Sequence, residues 1–200
     1  IGPLAVQTSG LILLIGLWIG LYLAERQAAK RSSDAGHIYN LAFLVIISAL
    51  IGARVAYVLE YSQAFITNPL SLLSLNPILL DWWGGIAGAS IASIWYAQKQ
   101  RLDAWLTLDF FTPTFATLAL SLGLAHFASG DAYGTATDLP WAIDLWGAHR
   151  HPTQLYEAIA AAIGLLISLR LLNLKQAIKG IPFLAFVIYS SATRLFLEAF

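Results

Sequence analysis

Residues 41–59 read LAFLVIISALIGARVAYVL, an apolar stretch in which Arg54 carries the only charge. Such a stretch matches the roughly 20 apolar residues that an α-helix needs to cross the hydrocarbon core of a bilayer. The composition of the whole chain agrees, since its 200 residues are 58% hydrophobic and 11% charged, with a mean hydropathy of +0.71. About a quarter of the residues in a soluble domain are charged. A soluble globule is therefore excluded, and the sequence indicates a membrane protein.

Five further apolar runs accompany this one. The six runs cover residues 4–24, 41–59, 82–97, 104–127, 152–172 and 181–200. We predict an all-α, polytopic membrane protein with six transmembrane helices that form a single domain over residues 1–200. The third run is short, and its Gly84, Gly85 and Gly88 predict close packing against another helix. The Gly16-x-x-x-Gly20 spacing in the first run likewise predicts a close helix contact. Because residue 1 is Ile and methionine is absent, we expect a chain trimmed at its amino terminus.

The distribution of positive charge predicts the orientation in the membrane. Eight of the eleven Lys and Arg residues lie in or next to loops one, three and five, namely Arg26, Lys30, Arg31, Lys99, Arg101, Arg170, Lys175 and Lys179. Cytoplasmic loops carry such an excess, so the amino terminus should lie outside. Loops two (60–81) and four (128–151) should then face outward. The glycines, Pro140 and tryptophans of loop four predict a compact excursion with a short hairpin between helices four and five.

Overall charge and side-chain chemistry narrow the partners. Eleven basic residues balance eleven acidic ones, so no basic stripe is present to hold nucleic acid. The chain has no cysteine. His149 and His151 with His126 or Asp131 form only a weak metal-ligand pattern, because solvated or backbone-bonded histidines are commoner. We predict no metal, no cofactor and no nucleic-acid partner.

Ionisable residues inside the apolar runs are the strongest candidate site residues. A charge at the centre of a membrane helix costs about 2.5 to 3.5 kcal/mol on insertion scales, so each one needs a partner or water. The predicted orientation places four of them in the outer half of the membrane, beneath loop four. It places Asp109 near the cytoplasmic end of its helix. The four are Arg54, Glu157, Arg194 and Glu198. They predict either a neutral buried network or a cavity for an anionic headgroup, with Arg150 at its rim.

Several ordered segments together resemble the prolipoprotein diacylglyceryl transferases, which move a diacylglyceryl group from phosphatidylglycerol to a lipobox cysteine thiol. The segments are GARVAYV at 52–58, WGGIAG at 83–88, Asp109-Phe110 with Pro113, GDAYG at 130–134, RHPTQLYE at 150–157, and Arg194 with Glu198. The resemblance implies a multi-pass protein of the bacterial cytoplasmic (inner) membrane. It also implies a further carboxy-terminal helix, so we expect the chain to be trimmed at this end as well. We predict Arg54, Gly134, Arg150, Glu157, Arg194 and Glu198 as lipid-binding residues, and Arg194, His126 and Asp131 as catalytic ones.

The chain departs from this family at several functional positions. Trp83 stands where the family has a histidine before Gly-Gly, and Gly123 stands where it has an essential arginine. His126 and Ser129 replace two asparagines, whereas Asp131 keeps the acidic position. We therefore predict a catalytically degenerate homologue that binds anionic phospholipid and acts as an accessory or structural subunit beside other membrane proteins.

The alternative is an active transferase in lipoprotein biosynthesis. In that case Arg194 would bind the phosphate, because a guanidinium presents a fork of donors to phosphate oxygens. His126 or Asp131 would assist proton transfer. Solute transport ranks last, since the sequence lacks the paired discontinuous helices typical of transporters.

Overall fold

The computed structural model describes residues 8–31, 35–67, 76, 79–174 and 178–200. These residues form a mostly helical protein. The helices are α1 (Thr8–Lys30), α2 (Gly36–Glu60), α3 (Ser62–Thr67), α4 (Trp82–Lys99), α5 (Ala104–Ser129), α6 (Thr153–Leu172) and α7 (Ile181–Leu197), and the strands are β1 (Ile143–Leu145) and β2 (Ala148–Arg150). The predicted helical fold class is therefore confirmed for these residues.

Four helices in the described part of the chain are long and apolar enough to cross a membrane: α1, α2, α5 and α6. The other two predicted spans fall on α7, an apolar helix of 17 residues, and on α4, whose 18 residues include four glycine or tryptophan residues at its start and a Gln-Lys end. Six spans thus stay a prediction. Helix α3 lies in loop two and was not predicted, because its six residues carry no distinct periodic pattern.

The helix boundaries differ from the apolar runs in an informative way. The first run ends at residue 24, but α1 continues to Lys30 and buries Gln27 and Ala28. Similarly, α2 begins at Gly36, ahead of the run at 41–59. Apolar composition marks the stretch that suits lipid, whereas backbone hydrogen bonding and packing decide where a helix ends. Residues 4–7 of the first run lie outside the described residues.

The described chain divides into two compact units, of which the first comprises residues 1–35 and 105–200. Here α1 approaches α5 through Gly20, where an added Cβ would lie 2.7 Å from the Cα of Thr114. Small residues allow membrane helices to approach this closely. The close contact predicted from the Gly16-x-x-x-Gly20 spacing is therefore confirmed, and α5 is the most buried of the four long apolar helices.

Asp109 joins α5 to the start of α7. Its fully buried carboxylate accepts hydrogen bonds from the backbone N–H of Gly180 at 2.7 Å and of Phe183 at 3.0 Å. The first N–H groups of a helix have no partner within the helix, and a carboxylate also suits the positive end of the helix dipole. Asp109 therefore caps the start of α7, although it belongs to α5.

The second unit, residues 36–104, contains α2, α3 and α4. Helices α2 and α4 touch backbone to backbone, since a Cβ added to Gly84 would lie 2.5 Å from the carbonyl oxygen of Gly52. This confirms the close packing predicted for the glycines of the third run. Asp81 begins α4, where its side chain accepts a hydrogen bond from the N–H of Gly84 at 2.6 Å.

Strands β1 and β2 form an antiparallel hairpin between α5 and α6, with Asp144 opposite His149. Its two-residue turn is Trp146-Gly147, and both residues have positive φ, at 54° and 77°. Two-residue hairpin turns with this backbone twist match the twist of the flanking strands. The hairpin predicted for loop four is confirmed.

Candidate functional site

Four ionisable side chains meet in the first unit, where they come from α5, α6, α7 and the C-cap of α7. We call them the charged cluster: His126, Glu157, Arg194 and Glu198. Glu157 is the centre, because its Oε1 accepts a hydrogen bond from Arg194 Nη1 at 2.7 Å while its Oε2 lies 3.6 Å from His126 Nδ1. Arg194 Nε also lies 3.8 Å from Oε1 of Glu198, the residue that directly follows α7. Three of the four charges predicted to share one level therefore come together.

Exposure differs sharply within the charged cluster. The Glu157 side chain is 19% exposed, whereas those of Arg194 and Glu198 are 66% and 63% exposed. A carboxylate removed from water to this extent needs opposite charge beside it. Glu157 thus anchors the guanidinium of Arg194 through Nη1.

Two recesses meet at Glu157, Arg194 and Leu197. The first, which we call the apolar groove, has a volume of about 190 Å³ and is also lined by Ala119, Leu122, Ala160, Ala161, Phe186, Tyr189, Ser190 and Thr193. The second, the loop cavity, has a volume of about 230 Å³ and is also lined by Ala132, Tyr133, Gly134, Thr153, Glu198 and Phe200. Arg194 therefore lines both the apolar groove and the more polar loop cavity.

The loop cavity is shaped by hydrogen bonds that fasten residues 131–134 to the start of α6. Thr153 Oγ1 donates to the carbonyl oxygen of Ala132 at 2.7 Å, and Gln154 Nε2 donates to that of Asp131 at 2.8 Å. The N–H of Gly134 donates to the carbonyl oxygen of His151 at 3.1 Å. Gln154 is fully buried, so this fastening is part of the protein interior. The loop is held in place before any ligand arrives.

Arg150 contacts two residues of this loop, Tyr133 and Gly134. Its guanidinium lies 4.7 Å from the centre of the Tyr133 ring, and its Nη1 lies 3.4 Å from the carbonyl oxygen of Gly134. Tyr133 and Gly134 line the loop cavity, whereas Arg150 contacts the lining residues. The lipid-binding role predicted for Arg150 and Gly134 stays a prediction, as does the catalytic role of Asp131, whose side chain is exposed.

Arg54 lies in the second unit. Its Nη1 donates to the carbonyl oxygen of Leu79 at 2.9 Å, and its guanidinium lies 5.6 Å from the centre of the Phe65 ring. Both contacts are made within residues 36–104. The membership of Arg54 in the charged cluster therefore stays a prediction.

Helices α5 and α6 pack against each other without a gap at Gly123, which precedes His126 by three residues. A Cβ added to Gly123 would lie 2.9 Å from the backbone nitrogen of Ala158 and 2.9 Å from the carbonyl oxygen of Gln154. A side chain of any size at this position would meet backbone, which cannot move aside cheaply. The sequence showed that Gly123 carries no side chain, but not that the space is taken.

Sequence reasoning missed the apolar groove entirely. Its lining includes three small residues of α5 and α6, namely Ala119, Ala160 and Ala161. Tyr189 packs against Gly164, and its hydroxyl donates to the carbonyl oxygen of Ala160 at 3.0 Å. Alanines in an apolar helix carry no signal that distinguishes a groove from a packed contact. In the described residues no group of three or more His, Asp or Glu side chains is placed to hold a metal ion.

Comparison with known proteins gives a consistent result. The family model described as prolipoprotein diacylglyceryl transferase matches residues 1–200. A phosphatidylglycerol–prolipoprotein diacylglyceryl transferase of Photobacterium profundum is 32% identical over all of this chain and 77% of its own length. Proteins of the same name from Aeromonas hydrophila and Geobacter sulfurreducens are 30% and 27% identical, over 99% and 100% of this chain and 74% and 79% of their own lengths.

Proposed function

This chain belongs to the prolipoprotein diacylglyceryl transferase family, and we propose that it is a catalytically degenerate member that binds phospholipid in the bacterial cytoplasmic membrane. One observation carries the proposal: Arg194 stands at the junction of the apolar groove and the loop cavity, anchored by Glu157. A phospholipid has the same division, with an acyl chain on one side of its phosphate and a polar headgroup on the other.

The chemistry of Arg194 suits a phosphodiester. A guanidinium is always charged and offers several donors in a fixed fork that matches phosphate oxygens. Glu157 occupies one of these donors at 2.7 Å and so fixes the orientation of the others. The apolar groove then accepts part of an acyl chain, whose transfer from the bilayer involves little change in its surroundings. We expect anionic phospholipid such as phosphatidylglycerol among the bound lipids, because the named relatives use phosphatidylglycerol.

Catalytic degeneracy is supported by the region around Gly123. The resemblance to the family implies an arginine at this position, and two arginines around one phosphate would stabilise the charge that develops on the leaving group. Here the backbone of α6 lies 2.9 Å from the site of a Gly123 Cβ. The position thus lacks both the cation and the space for one. We therefore expect the protein to bind phospholipid without catalysing diacylglyceryl transfer.

Lipid binding is tested on the purified protein in mild detergent, with the retained phospholipids extracted and quantified by mass spectrometry. We expect Arg194→Gln to lose most of the retained phospholipid, and Arg194→Lys to keep only part of it because the fork is gone. Arg170→Gln, a change at the far end of α6, is the matched control and should retain the wild-type amount. Equal lipid content in all three variants would refute phosphate binding by Arg194.

An active transferase is the second candidate, favoured by the 3.6 Å approach of His126 to Glu157. A neutral imidazole has one ring nitrogen that can accept a proton, so His126 is placed to act as a general base. The discriminating assay incubates the protein with labelled phosphatidylglycerol and a lipobox peptide, alongside the Photobacterium profundum relative. Thioether product above background would establish this candidate and end the degenerate one, whereas a blank reaction beside an active control supports degeneracy.

The proposed topology has six spans, including α4 and α7, with the amino terminus outside. Because the chain has no cysteine, single cysteines report sidedness without background. A membrane-impermeant maleimide is applied to spheroplasts, whose cytoplasmic membrane is intact. It should label Asp138→Cys in loop four but not Arg101→Cys in loop three. The reverse pattern would invert the topology, and labelling of both or neither would contradict the six-span arrangement.

The accessory role remains part of the proposal. If the protein is such a subunit, it should co-purify in mild detergent with the same membrane protein partners, in a constant ratio. A protein that elutes alone, with its lipid bound, would remove the subunit role and leave the lipid-binding role intact.

A further inference from the structure

The two carboxylates that line the loop cavity are in different situations. Glu157 is largely buried and is engaged by Arg194 at 2.7 Å and approached by His126 at 3.6 Å. Glu198 is 63% exposed, and the approach of Arg194 Nε to its Oε1, at 3.8 Å, is longer than a hydrogen bond. An ionised carboxylate accepts hydrogen bonds at about four positions. Glu198 therefore presents acceptor positions to the loop cavity.

The charge balance of the loop cavity makes this acceptor consequential. Its lining carries two carboxylates and one guanidinium, so a phosphate bound by Arg194 comes to lie close to a second negative charge, that of Glu198. Two anions at this separation repel each other unless a donor stands between them. A headgroup that carries a hydroxyl or an ammonium beyond its phosphate supplies that donor, and one without such a group does not.

We propose that Glu198 selects the headgroup: together with Arg194 it favours phospholipids whose headgroup carries a hydrogen-bond donor close to the phosphate. This inference rests on the proposed binding of phosphate by Arg194. Glu198 is the C-cap of α7 and lies four residues after Arg194, about 6 Å further along the helix axis. The two side chains line the same cavity. Arg194 takes the phosphate oxygens, and Glu198 accepts from the hydroxyl or ammonium a few bonds further on.

Two matched lipid pairs test the selection, because within each pair the headgroup charge is constant and the donor is removed. Phosphatidylglycerol is compared with phosphatidylmethanol, and phosphatidylethanolamine with phosphatidylcholine. The measurement is the affinity of the purified full chain for each lipid, by competition in detergent with native mass spectrometry. A hydrogen bond to a charged group corresponds to roughly a tenfold difference in affinity or more, so we expect the donor-bearing lipid to win by that factor in at least one pair.

Variants assign the preference to its source. Glu198→Ala should abolish the preference, and Glu198→Gln should reduce it, because the amide keeps an acceptor oxygen but loses the charge. Asp138→Asn removes a carboxylate of loop four that does not line the loop cavity, and should keep the wild-type preference. Because Glu198 is exposed near the end of α7, these variants should unfold at the wild-type temperature, which a thermal scan checks.

The outcomes separate this inference from the proposed function. A preference in the glycerol pair that depends on Glu198 identifies a hydroxyl as the donor, and one in the ethanolamine pair identifies an ammonium. Equal affinities within both pairs, or a preference unchanged in Glu198→Ala, would overturn the selection. If Arg194→Gln still abolishes binding in that event, only the selection fails. If Arg194→Gln binds as the wild type does, phosphate binding at Arg194 fails as well.

Discussion

Substitution of Gly123 by alanine adds a single methyl group at the closed contact between α5 and α6. That Cβ would lie 2.9 Å from the Ala158 nitrogen and the Gln154 carbonyl oxygen, both of which are backbone atoms of α6. Overpacking of this kind costs typically 1 to 3 kcal/mol. Alanine also favours a helix over glycine by about 1 kcal/mol. The free energy of unfolding should therefore fall by roughly 0 to 2 kcal/mol.

Gly10→Ala isolates the packing contribution. Gly10 also lies on an apolar helix, and nothing stands within 4 Å of the position of its Cβ. This variant should be as stable as the wild type or slightly more so. The difference between the two variants should then equal the overpacking penalty alone, about 1 to 3 kcal/mol.

The assay is denaturant unfolding in detergent, followed by tryptophan fluorescence and compared at equal protein and detergent concentrations. Equal stability of Gly123→Ala and Gly10→Ala would refute the reasoning, because the α5–α6 contact would then have room for a side chain. Gly123→Arg completes the series. It should not create transferase activity, since the contact must open before the guanidinium can reach a phosphate, and an active Gly123→Arg protein would remove the structural argument for degeneracy.

Two further predictions concern side chains that hold the frame of the site. Asp109→Ala leaves the buried N–H of Gly180 and the part-buried N–H of Phe183 without an acceptor. The free energy of unfolding should fall by about 1 to 3 kcal/mol for the buried group, and by a smaller amount for the other. Asp109→Asn keeps one acceptor oxygen and should lose less in the same unfolding assay, so equal losses would contradict the cap. Trp141→Phe removes the 2.7 Å hydrogen bond from the indole N–H to the Tyr156 hydroxyl. The melting temperature should fall by the equivalent of about 1 kcal/mol, and phospholipid retention should stay unchanged. A loss of bound lipid would instead show that this bond shapes the loop cavity.

Much of the fold follows from local patterns. Long apolar runs predicted helices near the right places, because a helix is the only single segment that satisfies its own backbone in lipid. Gly16 and Gly20 predicted a close contact of α1, and the Trp146-Gly147 turn fits the hairpin predicted for loop four. Patterns of this kind depend on residues close together in the chain, so a sequence displays them directly.

The charged cluster shows where local patterns stop. Ionisable residues in apolar runs predicted that Glu157, Arg194 and Glu198 would seek partners, and they do so. The sequence placed Asp109 near one end of its helix but did not identify it as the cap of α7, because that partner lies more than 70 residues further along the chain.

The amino-acid sequence by itself determined that this protein is helical, suited to a membrane and a member of a lipid-transferring family, because composition, run length and ordered motifs are properties of the chain. Only the tertiary structure decided that α6 closes the space at Gly123, that small residues of α5 and α6 leave an apolar groove, and that Arg194 stands at its mouth. The physical reason is that a recess is the space left between helices. Its shape depends on how closely their backbones approach, a distance that no single segment encodes.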